Sequence, residues 1–147
     1  MSDSFRYYLR IRYGECDAQK VVFNARYADY VDVAMSEFMR ALGYGAEMAS
    51  GELDFQLVKQ TLQWKASARF DQVLEIAVRT QYLGNTSVTL AFEFRIAGEE
   101  AVIATVETVY VMVDAHTLAK KALPEPVRTQ LKLGAPGVTV DHAGSGR

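Results

Sequence analysis

The sequence predicts an α+β domain in which a single antiparallel sheet wraps around one buried helix. Three observations carry that expectation. A period-two segment opens the chain, one long segment with apolar spacings of three and four follows, and period-two segments then run to the last quarter. A strand, one helix and then consecutive strands is the order of an α+β domain.

The opening stretch "FRYYLRIRY", residues 5–13, sets Tyr7, Leu9, Ile11 and Tyr13 on one face and Arg6, Arg10 and Arg12 mostly on the other, as in a half-buried strand. After Asn24 the period changes. Tyr27, Val31, Ala34, Phe38 and Leu42 form an apolar stripe, while Asp29, Asp32, Glu37 and Arg40 fall off it. This predicts an amphipathic helix of about four to five turns. It ends at Leu42-Gly43, where glycine suits the left-handed cap. Strand alternation returns at Leu62, Trp64, Ala66, Ala68 and Phe70, and again at Leu74, Ile76, Val78 and Thr80. "LGNTS" turns the chain into Val88, Leu90, Phe92, Phe94 and Ile96. "IAGEEAV" then turns it into "AVIATVETVYVMVD", apolar and β-branched on both faces as an interior strand is. Pro124 and Pro126 mark a short terminal turn or helix.

With 147 residues the chain reads as one domain, residues 1–133, followed by a Gly-rich tail, residues 134–147, expected to be loose. One helix covers one sheet face, so edge pairing or face packing between copies is expected. The 16 basic and 18 acidic residues give a net charge of −2, with no whole-protein attraction to nucleic acid or an anionic membrane. The lone Cys16 excludes an intramolecular disulfide and suits a reducing cytoplasm. The N-terminal stretch has no long apolar run, so neither a signal peptide nor a membrane anchor is expected there.

One segment departs from ordinary patterning. In "YGECDAQKVVFNARY" the carboxylate Asp17 is followed by "AQKVVFN", a loop too apolar for solvent. If that loop is buried, the free amides at the helix start have no water to bind and become available to a ligand carbonyl. The segment resembles the acyl-CoA thioesterases of the 4-hydroxybenzoyl-CoA thioesterase and YbgC type. Glu15, Asp17, Val21, Val22, Phe23 and Tyr27 match that pattern in place, and strand patterning extends the likeness over about residues 5–131. Two positions depart from it: Lys20 stands where glycine is common, and Asn24 where many members carry histidine.

The resemblance implies a hotdog fold and hydrolysis of an acyl-CoA thioester. It implies Asp17 as nucleophile or general base and the Asn24 backbone N–H as the group that polarises the carbonyl. Phe23 and Tyr27, which match the pattern, are candidate substrate contacts, although Tyr27 reads most simply as a core residue of the helix stripe. It implies an active site between subunits, hence a homo-oligomer, dimer or tetramer, and no metal or cofactor, since CoA is part of the substrate.

Other residues have competing readings. Glu15, two residues before Asp17, reads as a supporting acid. Cys16 has no histidine near it in sequence, so a small packed cysteine is preferred to a nucleophile. Asp32 is either a solvated or Arg40-paired residue, or a polar contact to the far end of the acyl group. Among Lys59, Arg69, Lys120 and Lys121, the pair Lys120-Lys121 is the candidate for the CoA phosphates. Two alternatives stay open. A hotdog dehydratase or hydratase is disfavoured, since no histidine precedes residue 116; a non-catalytic acyl-thioester binding protein is the other.

Overall fold

The structure, a computed structural model, describes residues 3–144. Its strands are β1 (Phe5–Arg10), β2 (Asp54–Trp64), β3 (Val73–Leu83), β4 (Ser87–Ile96), β5 (Val102–Val113) and β6 (Thr139–Asp141). They form one six-stranded sheet in the order β2-β5-β4-β3-β1-β6. The helices are α1 (Arg26–Ala41), α2 (Gly45–Ser50) and α3 (Glu125–Leu133).

Period-two patterning aligns one apolar row after another across the sheet. Register pairs Tyr7 with Ile76, Ile76 with Phe94, Phe94 with Ala104, and Ala104 with Trp64. The next row is Phe5, Val78, Phe92, Val106 and Leu62. Helix α1 lies on this face and buries Tyr27, Tyr30, Val31, Ala34, Met35, Phe38 and Met39 against it. Ring contacts fix the seating: Phe38 stacks edge-on to Phe5 at 5.5 Å, and Tyr27 meets Phe94 at 5.3 Å. The opposite face carries Arg79, Gln81, Glu93, Arg95 and Glu107, so it suits water rather than a second apolar layer. Gly43 follows α1 at φ 99°, the left-handed stop that the sequence implies. Pro124 precedes α3, and Pro126 sits in its first turn.

The structure corrects several expectations. The first strand stops at Arg10, and Tyr13–Glu15 form a single 3-10 turn. Strand β2 starts at Asp54, well ahead of Leu62. Register shifts between Leu57 and Lys59, so the helix-facing residues run Phe55, Leu57, Gln60, Leu62 and Trp64; the bulge hides the period. The alternation at Ala66–Phe70 does not continue β2. It is a separate extended piece that backs the Asp17 loop, with the Val22 N–H donating to the Ala68 carbonyl at 2.9 Å and the Phe70 N–H to the Lys20 carbonyl at 3.0 Å.

The segment expected to be loose from residue 134 carries β6, paired in parallel with β1, so the sheet is mixed. Strand β1 left an edge open, and Thr139–Asp141 complete it; residues 145–147 lie outside the described residues. Among the described residues no helix is long and apolar enough to cross a membrane.

Candidate active site at the start of helix α1

Chain geometry between β1 and α1 is a small hairpin. Cys16 pairs with Val22, the Asp17 N–H donates to the Val21 carbonyl at 2.9 Å, and the Lys20 N–H donates to the Asp17 carbonyl at 2.9 Å. Lys20 takes φ 62°, the left-handed region. The position therefore favours glycine, and lysine fills it here at a small backbone cost. The loop is not buried within the chain, contrary to the expectation from its composition. Val22 is buried, but Phe23 is 54% exposed and Asp17 is exposed.

Asp17 stands at the turn of this hairpin. Its Oδ1 accepts the Gln19 N–H at 2.8 Å, and Oδ2 has no protein partner among the described residues. On the other arm the Phe23 N–H donates to the Glu15 carbonyl at 3.0 Å, and the Arg26 N–H to the Phe23 carbonyl at 2.9 Å. Between them the Asn24 and Ala25 amides donate to no protein group among the described residues. Helix α1 has no side-chain cap. Two free donors thus stand at the positive end of the helix dipole, which is the chemistry of an oxyanion site.

Asn24 and Tyr27 line one cavity of ≈ 250 Å³ with Val22, Trp64 and Ala66. Tyr27 is otherwise a core residue, its ring edge-on to Trp64 at 6.3 Å and its hydroxyl pKa raised by burial. Trp64 is 46% exposed on the open edge strand, and its place beside Asn24 was not legible in the sequence. Asp17 and Phe23 lie on the exposed hairpin rather than in this cavity. Asp32 is two turns further along α1, exposed and not paired to Arg40, whose partner is Glu37 at 3.3 Å. Partial burial raises the Asp32 carboxyl, and Asp29 adds to the shift. Its charge also reaches Tyr110, whose hydroxyl is pushed up to about 12, chiefly by burial.

Lys120 and Lys121 are not brought to this site within the chain. Lys120 bridges to Val113, while Trp64 pairs with Ala104 at the other end of β5. Nine residues of strand separate them, about 30 Å. Cys16 is half-buried, and burial raises its thiol pKa, with Glu15 and Asp17 pushing the same way. That environment works against a thiolate.

Glu15 has the opposite surroundings from Asp17. Oε1 accepts the Arg12 N–H at 2.8 Å and the Tyr30 O–H at 2.9 Å; Oε2 accepts Arg12 Nε–H at 2.8 Å and Nη2–H at 2.6 Å. Burial by itself would raise this carboxyl. The Arg12 amide, the Arg12 guanidinium and the Tyr30 hydroxyl outweigh it and hold the pKa below the ordinary value. Behind Glu15 opens a second cavity of ≈ 350 Å³ lined by Arg12, Arg26, Asp29, Tyr30 and His142. His142 arrives there on the end of β6, its Nδ1 3.0 Å from the Tyr7 hydroxyl. Sequence separation of 135 residues gave no sign of it.

Comparison with known proteins agrees with this architecture. The model of the thioesterase-like superfamily matches residues 11–131. The chain is 30% identical over 130 residues to the acyl-CoA thioester hydrolase YbgC of Escherichia coli O6:H1, covering 87% of this chain and 96% of that one. Among solved structures, a gentisyl-coenzyme A thioesterase superposes with a TM-score of 0.77 at 28% identity, covering 86% of this chain and 98% of that one. A Pseudomonas aeruginosa PAO1 protein superposes with a TM-score of 0.84 at 23% identity, over 93% of this chain and 95% of that one. The chain belongs to the thioesterase-like superfamily and has its hotdog fold.

Proposed function

We propose that this thioesterase hydrolyses an acyl-CoA thioester to the free acid and CoA at the start of α1. The observation that carries the reading is the free Asn24 amide at an uncapped helix start, on the same hairpin as a carboxylate with an uncommitted oxygen. The Asn24 N–H polarises the thioester carbonyl. A donor of this kind contributes about 3–4 kcal/mol to the transition state.

Asp17 completes the chemistry by one of two routes. As nucleophile it attacks the carbonyl carbon, the CoA thiolate leaves, and water then hydrolyses the acyl anhydride. As general base it takes a proton from water, whose oxygen forms the new bond as the thiolate leaves. Neither route needs a metal or cofactor. The names of the E. coli relative and the gentisyl-coenzyme A thioesterase support a CoA ester as substrate. Phe23 and Tyr27 flank the reacting carbonyl, and Asp32 meets the far end of the acyl group.

The working form is a homo-oligomer built on edge pairing of β2. This strand is an open edge of 11 residues with Leu57, Val58 and Trp64 exposed, a surface that invites a second copy. Antiparallel pairing would set the Asp54 end of one copy beside the Trp64 end of the other. It would bring the partner's Lys120 and Lys121 to the Asn24 end, where they meet the CoA phosphates. The single cysteine supports a reducing, cytoplasmic setting.

A panel of acyl-CoAs with a thiol indicator tests the reading. Release of CoA thiol supports hydrolysis. An ultraviolet change without thiol supports the hydratase alternative, and binding without turnover supports the binding protein.

A further inference from the structure

We propose that Glu15 is a positioning residue, the clamp that fixes the gap between the Asp17 carboxylate and the Asn24 amide. The inference rests on the hydrolase reading above and adds to it a residue that does not touch substrate.

Glu15 ties together the three pieces whose relative placement the reaction needs. Its side chain holds the Tyr13–Glu15 turn through Arg12, in two bonds from the guanidinium and one from the backbone. The same carboxylate holds the body of α1 through Tyr30, four residues into that helix. Its backbone carbonyl holds the far arm of the hairpin by accepting the Phe23 N–H, one residue before the proposed oxyanion donor. Asp17 is two residues away on the near arm. A carboxylate has about four lone-pair sites, and all four here are occupied. Glu15 is 9% exposed, so it has no oxygen left for base chemistry and every oxygen engaged in placement.

Among the described residues nothing else on the near arm links it to α1 in this way, and Asp17 itself bonds only within its own turn. Without the side-chain bonds of the clamp, the hairpin stays attached through Ala68, Phe70 and the Glu15 backbone carbonyl, but the near arm loses its tie to the body of α1 and its angle to the helix start loosens. Misplacement of a reacting group by about 1 Å costs as much as 10²-fold in rate.

Three variants test this: Tyr30→Phe removes one hydroxyl, Arg12→Gln removes the guanidinium, and Glu15→Gln removes the charge. Each is measured by steady-state kinetics on the best acyl-CoA and by amide hydrogen exchange. The expected result is a kcat lower by about 10–100-fold with KM within about twofold. Exchange should quicken over residues 16–26 while β3, β4 and β5 keep wild-type protection. The Glu15→Gln/Tyr30→Phe double variant should be no slower than the worse single one, because both break one unit.

Wild-type kcat in folded Tyr30→Phe and Arg12→Gln overturns the proposal. A raised KM at unchanged kcat also overturns it, as does exchange that quickens throughout the sheet, the mark of plain structural support. If the wild type releases CoA from no substrate, the hydrolase reading falls separately. Exchange over residues 16–26 then decides alone whether Glu15 is the clamp, with unchanged protection overturning it.

Discussion

Glu15 and Asp17 are two residues apart and carry the same functional group, yet their surroundings are opposite. Glu15 is buried, accepts four hydrogen bonds and has its pKa held down. Asp17 is exposed, and among the described residues only its Oδ1 has a protein partner. A carboxylate whose lone pairs are all engaged is a fixture; one with an oxygen to spare can meet water or a thioester. The difference arises because β1 ends at Arg10 and the 3-10 turn rolls Glu15 inward under α1. The chain then emerges at Asp17 to start the hairpin. An open carboxylate and an engaged one are set side by side by backbone geometry rather than by residue type.

The largest effect expected from this contrast is at Asp17. Asp17→Asn keeps an oxygen to accept the Gln19 N–H, so the turn should survive while the negative charge is lost. We expect kcat to fall about 10²–10⁴-fold with KM nearly unchanged. Steady-state kinetics on a preparation shown to be folded checks it. Near wild-type kcat would mean that Asp17 is not the reacting carboxylate.

Asn24 comes next. Asn24→Pro removes the backbone N–H and should cost about 10²–10³-fold in kcat, whereas Asn24→Ala keeps it and should retain most activity. If the alanine variant is as inactive as the proline one, the side chain is the active group and the amide assignment fails.

The proposed assembly through β2 can be broken separately. Val58→Lys places a charge in the bulge of the β2 edge and should shift the protein towards a 16.4 kDa monomer. Activity should fall with it if the partner's lysines bind the CoA phosphates. Sedimentation at several concentrations decides this; a wild-type monomer throughout would remove the shared-site model.

Acid dependence reports on the Glu15 network. The Glu15 pKa is depressed in the folded chain, so its network stabilises the protein above the ordinary carboxyl value of 4.5. That contribution declines as pH falls below this value and is lost once pH has passed the lower folded value. Thermal midpoints across the acid range should fall less steeply in Glu15→Gln than in the wild type.

Lys20→Gly should have the smallest effect. Relief of the φ 62° strain is opposed by the extra freedom glycine gives the unfolded chain, for a net change of less than about 1 kcal/mol. Denaturant midpoints check it.

Legibility in the sequence followed the range of the forces involved. The α1 stripe, the alternation of β3, β4 and β5, and the Gly43 stop were all readable, because each is set by neighbours within a few residues. Strand β2 was read short, since its bulge at Leu57/Lys59 breaks the period that a reader counts. Ala66–Phe70 looked like more strand because it is extended, but its partner is the loop, a fact of pairing rather than of pattern. The apolar loop composition implied burial, and the folded chain leaves Phe23 in the open.

By itself the sequence determined the fold class, the helix that carries the candidate site, and the local motif placing Asp17 ahead of that helix. Those depend on side-chain periodicity and on chain-local hydrogen bonding. Only the tertiary structure decided that Glu15 turns inward to Tyr30, that β6 closes against β1 and delivers His142, and that Lys120 and Lys121 lie at the far end of the sheet. Each of these joins or separates residues by long-range strand register and packing, and no local period encodes a partner many residues away.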